Sequence, residues 1–384
     1  MSTSDVIPDS ETQHGPVTAA LEETAPASRG RVIRGWAFAA SIPLVMWAIS
    51  VPVAEAAFRF AGTQLAATME GFYTPLGDSG FRHRSDAHAF HNWYSGPFVV
   101  NTDAAGFRVG KDSQAPTPKD VDILVIGDSQ AFGQGVDFEQ SVIGQFRSRA
   151  AQAGLTVANA AVGGHFLSNQ AELCRWLARE QGIRPRLVLF ALTPRLIGNA
   201  DAYSSVFVHD GALFDHPPSR GVLIRKWLSA HSAVYIVARN AMRRAGAEQD
   251  RAGGMLEFYR TELEQDAAMG AITRRVESIR ESFAPSRPNL AFCYLPLAAE
   301  HRIDELAAAA HISAEAAVPR RIAAKLAADA HAPFIDLAPV IAQLQGAKEP
   351  ITLDGDAHYN ARTSEAVGRA LWEGTDWGRA VGRP

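Results

Sequence analysis

The chain has 384 residues, 47% of them hydrophobic and 20% charged, which is the composition of a folded protein with room for one large domain or two small ones. Its 37 basic and 41 acidic residues leave a net charge of −4, and the absence of any long basic block argues against a nucleic-acid surface. Cys174 and Cys293 lie far from each other and from the apolar N-terminal stretch, so neither is a lipidated anchor. Cys293 sits in the apolar run 290–295 and reads as a buried thiol, with a disulfide between the two left open.

Residues 1–30, rich in Ser, Thr, Pro, Ala and Glu and without periodicity, read as a disordered tail. Arg29, Arg31 and Arg34 precede the uncharged stretch Gly35–Ala54, which as a helix measures about 30 Å, the thickness of the bilayer hydrocarbon. The basic flank predicts a cytoplasmic tail, a single anchor over 31–58 in the inner membrane, and everything after it outside the cytoplasm. Two alternatives stand. Pro43 and Pro52 weaken the helix and keep a buried soluble helix open, and Ala54-Glu55-Ala56 resembles a signal-peptide cleavage site. The long polar lead favours the uncleaved anchor.

The stretch 59–118 is expected to be a juxtamembrane region with few clear elements, ending in a turn and short strand over 101–108. His83, His88 and His91 invite a metal site, but their spacing does not set all three on one helical face. They read as ordinary exposed polar residues.

From Val121 strands and helices alternate. The continuous apolar run 123–126 predicts a strand buried on both faces. Asp137 with Gln140 resembles a capping box, followed by the helical face Val142, Ile143, Phe146, Ala150 and a stop at Gly154. Strands are predicted at 156–160, 187–192, 290–295 and 334–336, and helices at 167–180, 316–330 and 361–373. Residues 200–285 interrupt the rhythm with a polar loop and two helical stretches, around 222–244 and 255–282, which read as an insertion or lid. The pattern predicts a parallel sheet covered by helices on both faces, with its site at the carboxyl ends of the strands. This domain is expected over 119–375, and 376–384 as a C-terminal tail.

Ser129 stands directly after the first buried strand, on the tight turn Gly127-Asp128-Ser129, where an α/β fold exposes a nucleophile. A serine hydroxyl is a poor nucleophile without a base, and a histidine oriented by a carboxylate is suited to that task near neutral pH. His358 lies just before the last predicted helix, with Asp356 two residues and Asp354 four residues ahead of it. Asn360 is a candidate cap for that helix.

With these residues the chain resembles the SGNH/GDSL hydrolase family across about 119–375, the insertion excepted. The family's first block matches 125–130, its glycine block matches 158–165, and its last block matches 354–358. The resemblance implies a flavodoxin-like three-layer α/β/α fold. It also implies that the backbone N–H of Gly164, or of Gly163, joins that of Ser129 in an oxyanion hole. The chain departs from the family pattern twice. Gly355 occupies the usual position of the catalytic Asp, and Asp356-x-His358 is similar to the spacing in related polysaccharide O-acetyltransferases, so Asp356 is preferred to Asp354. The oxyanion asparagine expected soon after the third strand has only Asn199 as a candidate, with Thr193 or backbone as the alternative. His165, Arg195 and His209 are candidates to line the site, with solvated or structural roles preferred.

The resemblance implies ester chemistry through an acyl-enzyme, without metal or organic cofactor: an esterase, in particular a deacetylase, acting on acylated glycan of the cell envelope or an exported polysaccharide. Two rivals remain: an O-acyltransferase using the same triad, and a non-catalytic glycan-binding or assembly protein.

Overall fold

The computed structural model describes residues 29–63, 65, 71–77, 80–93, 96–111, 117–202, 206–239, 241–242, 255–284, 286–353 and 356–383. It falls into two units, Met1–Ala54 and Glu55–Pro384. Helix α1 (Arg29–Phe60) carries Pro43 and Pro52 inside it. Among the described residues no helix is long and apolar enough to cross a membrane. The side chains of 29–40, on which the expected span and its arginine flank depend, lie outside the described set.

The second unit is built on one eight-stranded sheet. Its parallel half contains β6 (Asp120–Gly127), β7 (Val157–Asn159), β8 (Arg184–Leu192), β11 (Asn289–Tyr294) and β12 (Phe334–Asp336). Their order across the sheet is β7-β6-β8-β11-β12, the 2-1-3-4-5 order of a flavodoxin-like fold. Every residue of β6 from Val121 to Gly127 is buried, as its uninterrupted apolar run requires. Helix α3 (Val142–Gln152) packs against α12 (Ala361–Glu373), and α4 (Leu167–Arg179) against α8 (Asp266–Glu281). The chain steps one way from β6 to β7 and the other way from β7 to β8 and on to β11. Right-handed crossovers therefore put α3 on one face and α4 and α8 on the other, giving three layers.

The stretch 59–118 is not poor in elements, as its sequence suggested. It holds β1 (Tyr73–Leu76) paired with β2 (Gly80–His83), then β3 (His88–Trp93), β4 (Gly96–Thr102) and β5 (Arg108–Val109). The last three extend the main sheet antiparallel from β7, with Arg108 opposite Asn159. β3 and β4 pair with each other over six positions, and only β5 reaches β7, so these strands are fixed by pairing within the stretch, which the sequence reading did not resolve. His83 and His88 sit on separate strands, and His88 and His91, three apart on β3, point to opposite faces. Of the three, only His88 is exposed as expected, with its Nδ1 2.6 Å from Asn101 Oδ1; His83 is instead buried against Phe72 and Phe132.

Two more expectations need correction. Asp137 caps no helix with its side chain. It accepts from the Val99 N–H at 2.8 Å and pairs with Lys111, so α3 begins a turn later, where Ser141 Oγ accepts from the Gly144 N–H at 3.0 Å. The C-terminal segment is no free tail: Trp377 is buried against Phe146, and Arg383 reaches Asp122 Oδ2 at 2.9 Å. In the insertion the structure forms a hairpin, β9 (Phe207–His209) with β10 (Ala212–Phe214). It continues with α6 (Arg220–His231) and α7 over 233–239; α5 (Pro194–Gly198) precedes the insertion, and α8, expected as part of it, is instead a sheet-covering helix packed on α4. Cys174 and Cys293 are both buried and free.

Candidate active site

Ser129 opens the short helix α2 (Ser129–Phe132) at the carboxyl end of β6, beside the switch point between β6 and β8. The turn is tight enough to demand glycine at 127, where an added Cβ would lie 2.7 Å from the Ala131 Cβ and 3.1 Å from the Ala191 carbonyl oxygen. Asp128 caps α2 by accepting from the Gln130 N–H at 3.0 Å. Its other carboxylate oxygen accepts from the buried Thr193 hydroxyl at 2.6 Å. The far end of α2 turns at Gly133, φ +86°, against the buried guanidinium of Arg108. Arg108 donates to the carbonyls of Phe132, Gly133 and Val136 and covers the Phe132 ring. Burial pushes its pKa down to about 9, although Asp137 and Glu139 oppose that shift.

His358 arrives from the loop before α12, whose first turn Asn360 caps by accepting from the Thr363 N–H at 2.9 Å. Its Nε2 lies 2.7 Å from Ser129 Oγ and its Nδ1 lies 2.8 Å from Asp356 Oδ2. An ionised carboxylate only accepts, so Nδ1 carries the proton and Nε2 is left to accept from the serine hydroxyl. The side chains of His358 and Asp356 are 17% and 11% exposed, enough for a substrate to reach the serine while little water screens the pair. Asp354 and Gly355 lie outside the described residues.

The sequence reading overlooked Gln130, the residue after the serine. Its amide donates to the Ala357 carbonyl at 3.1 Å, and its oxygen accepts from the Tyr359 N–H at 3.4 Å, so it grips the backbone on both sides of His358. Tyr359 in turn donates its hydroxyl to the Pro296 carbonyl. The only sequence signal for this grip is a buried-type amide beside a nucleophile, because its partners are some 229 positions away.

The glycine loop lies against the serine. A Cβ added at Gly163 would be 3.7 Å from the Ser129 Cβ, whereas at Gly164, φ +87°, it would meet Phe81. Gly163 thus turns its side-chain position toward the nucleophile, and Gly164 turns its own toward Phe81. The Arg195 guanidinium fastens this loop by donating to the carbonyls of Gly164 at 3.2 Å and His165 at 3.0 Å. The Asn199 amide donates back to the Arg195 carbonyl at 3.3 Å, at the end of α5, and no contact among the described residues joins it to Ser129. The Thr193 hydroxyl is likewise committed, to Asp128. Both residues serve α5 because the chain turns into a helix immediately after β8, which absorbs the side chains of the loop. His165 is fully buried with Nε2 2.8 Å from the Phe81 carbonyl oxygen, and burial pushes its pKa down to about 3. His209 lies in the β9–β10 hairpin beside Asp210. Neither histidine is brought to Ser129 by these contacts.

No family model and no curated protein matches this chain. Solved structures similar to it include that of TesA, 13% identical, covering 67% of this chain and 98% of that one at a TM-score of 0.38. An acetylxylan esterase from Geobacillus stearothermophilus, Axe2, is 12% identical, with coverage of 72% and 97% and a TM-score of 0.38. A protein described as lipolytic and of the G-D-S-L family, from Desulfitobacterium hafniense, is 12% identical, with coverage of 66% and 99% and a TM-score of 0.36.

Proposed function

We propose that this chain is a serine esterase of the SGNH/GDSL kind, held outside the cytoplasm by the apolar segment 35–54 and acting on acylated envelope or exported polysaccharide. The observation that carries the chemistry is the continuous relay Asp356–His358–Ser129, with both contacts at hydrogen-bond distance. Ser129 Oγ attacks the acyl carbonyl as its proton passes to His358 Nε2, and Asp356 stabilises the imidazolium. The N–H of Ser129 and the backbone of Gly163–Gly164 face the oxyanion. Collapse expels the sugar alkoxide, which takes the proton from His358 and leaves the acyl group on Ser129. Water, deprotonated by the same nitrogen, then attacks the acyl carbon; collapse breaks the bond to Ser129 Oγ, which takes the proton back from His358, and the acid is released. No step needs a metal or a cofactor.

The spacing of Asp356 and His358 supports a second reading, in which a sugar hydroxyl replaces water as the acceptor. One experiment addresses both readings. A fluorophosphonate probe should label Ser129 in the full chain and fail with Ser129→Ala or His358→Ala. Acetylated glycans should release acetate to water, and a second, unacetylated glycan should stay unmodified if hydrolysis is the reaction. Robust ester turnover by Ser129→Ala would overturn the assignment. For the anchor, a periplasm-active reporter joined after residue 62 should be active, and one joined within 1–28 inactive.

A further inference from the structure

Helix α6 exposes an apolar stripe that the catalytic reading leaves without a role. Arg220, Leu223, Ile224, Trp227 and His231 recur at helical spacing, and all are exposed, Ile224 by 58% and Trp227 by 59%. The buried side of the helix is marked by Ser229. The helix carries Arg220, Arg225 and Lys226 and no acidic residue. Such a contiguous set of large side chains on a folded surface marks a contact with something apolar.

The position of α6 in the chain says what that is. Glu55 accepts from the N–H groups of Ala233 and Val234 at 2.9 and 3.0 Å and from the Ser232 hydroxyl at 3.1 Å, capping α7. Arg59, paired with Glu55, donates to the His231 carbonyl at 2.7 Å and so closes the end of α6. The carboxyl end of α6 is therefore fastened to the first turn after the apolar segment that ends at Ala54. At 1.5 Å per residue α6 is about 18 Å long, so its whole stripe lies within a helix length of that point.

We infer that α6 lies in the outer membrane–water interface, with Leu223, Ile224 and Trp227 in the acyl boundary and Arg220, Arg225 and Lys226 among anionic phospholipid headgroups. This inference rests on the proposed anchor, which brings residue 55 to the same interface. A second copy of the chain is the poorer occupant, because a two-fold pairing through the stripe would bury Arg220 of each copy with no acid on α6 to pair it. With α6 seated, the hydrolase domain has two attachments to the membrane, the anchor and a lateral helix, which restrict its swivel.

The test uses the full chain carrying Ile224→Cys, labelled with an environment-sensitive fluorophore. Cys174 and Cys293 are buried, and burial raises both thiols, so label goes to position 224. In vesicles containing phosphatidylglycerol the label should shift to the blue and be quenched by lipids bearing a nitroxide near the headgroup. In phosphatidylcholine alone both effects should shrink. Adding Arg220→Glu and Arg225→Glu should weaken the response by about fivefold or more per reversed charge, with hydrolysis of a soluble ester unchanged. A chain that floats with the vesicles while position 224 stays in water would overturn the inference and spare the anchor. A chain that floats and shows the shift at low salt but loses both at high salt would support α6 and overturn the anchor, because salt does not release a membrane-spanning helix. Lipid-independent quenching between labels on different copies would assign the stripe to self-association and overturn the inference.

Discussion

His358 is held from two sides, and the two holders predict different losses. Asp356 touches the ring and fixes its proton, so Asp356→Asn should lower kcat by about a thousandfold or more with little change in melting temperature. Gln130 touches only the backbone around the ring. Gln130→Ala should lower kcat by about tenfold, roughly 1.4 kcal/mol, with KM nearly constant, because it loosens the histidine rather than removing it. Gln130→Glu should do no better, since a carboxylate has no donor for the Ala357 carbonyl. A Gln130→Glu enzyme of full activity would remove Gln130 from the positioning of His358.

Glu300 is a largely buried carboxyl whose titration bears on stability rather than on catalysis. Glu300 accepts from Tyr294 at 2.6 Å and Tyr259 at 3.3 Å, yet burial dominates and raises its pKa to about 7. The folded protein then binds a proton that the unfolded chain, with a pKa near 4.5, has released. Stability should therefore fall as pH rises from about 4.5 to 7 and level off above. Glu300→Gln should flatten that slope and raise the melting temperature most at pH 8, a difference absent at pH 4. Equal slopes in the two proteins would place the titration elsewhere.

Between elements, the contacts that shape the nucleophile turn are short and specific. Arg108 on β5 satisfies three buried carbonyls at the end of α2, and truncation would leave them in an apolar setting without donors. Arg108→Ala should cost about 3–5 kcal/mol in denaturant unfolding, and Arg108→Lys should recover little, because an ammonium cannot reproduce the guanidinium fork. Gly127→Ala should destabilise by about 1–3 kcal/mol and also misplace Ser129, since the new methyl meets Ala131 and the Ala191 backbone. Fluorophosphonate labelling of that variant, measured while it is still folded, separates the two effects.

Across the whole second unit, the sheet does not begin at β6. The strands of 88–109 complete its edge beyond β7, and Arg108 comes from that edge. A chain starting at residue 119 should lose cooperative thermal unfolding, whereas one starting at Glu55 should melt in a single transition. Cooperative unfolding of the shorter chain would make the antiparallel strands an ornament.

The sequence alone was sufficient wherever a local pattern is tied to a single physical cause. The buried run of β6, the strands and helices of the α/β alternation and the cap at Asn360 all follow from burial, periodicity or an unsatisfied backbone group. The serine on its turn and the Asp-x-His pair were legible for the same reason. Tertiary structure decided what depends on partners distant in the chain. It drew Arg108, Gln130 and Arg195 onto the site, turned Asn199 back onto its own helix, and took Asp137 from its expected cap to Val99 and Lys111. Amides and guanidiniums satisfy whichever carbonyl packing brings within reach, and no spacing in the sequence specifies which carbonyl that is.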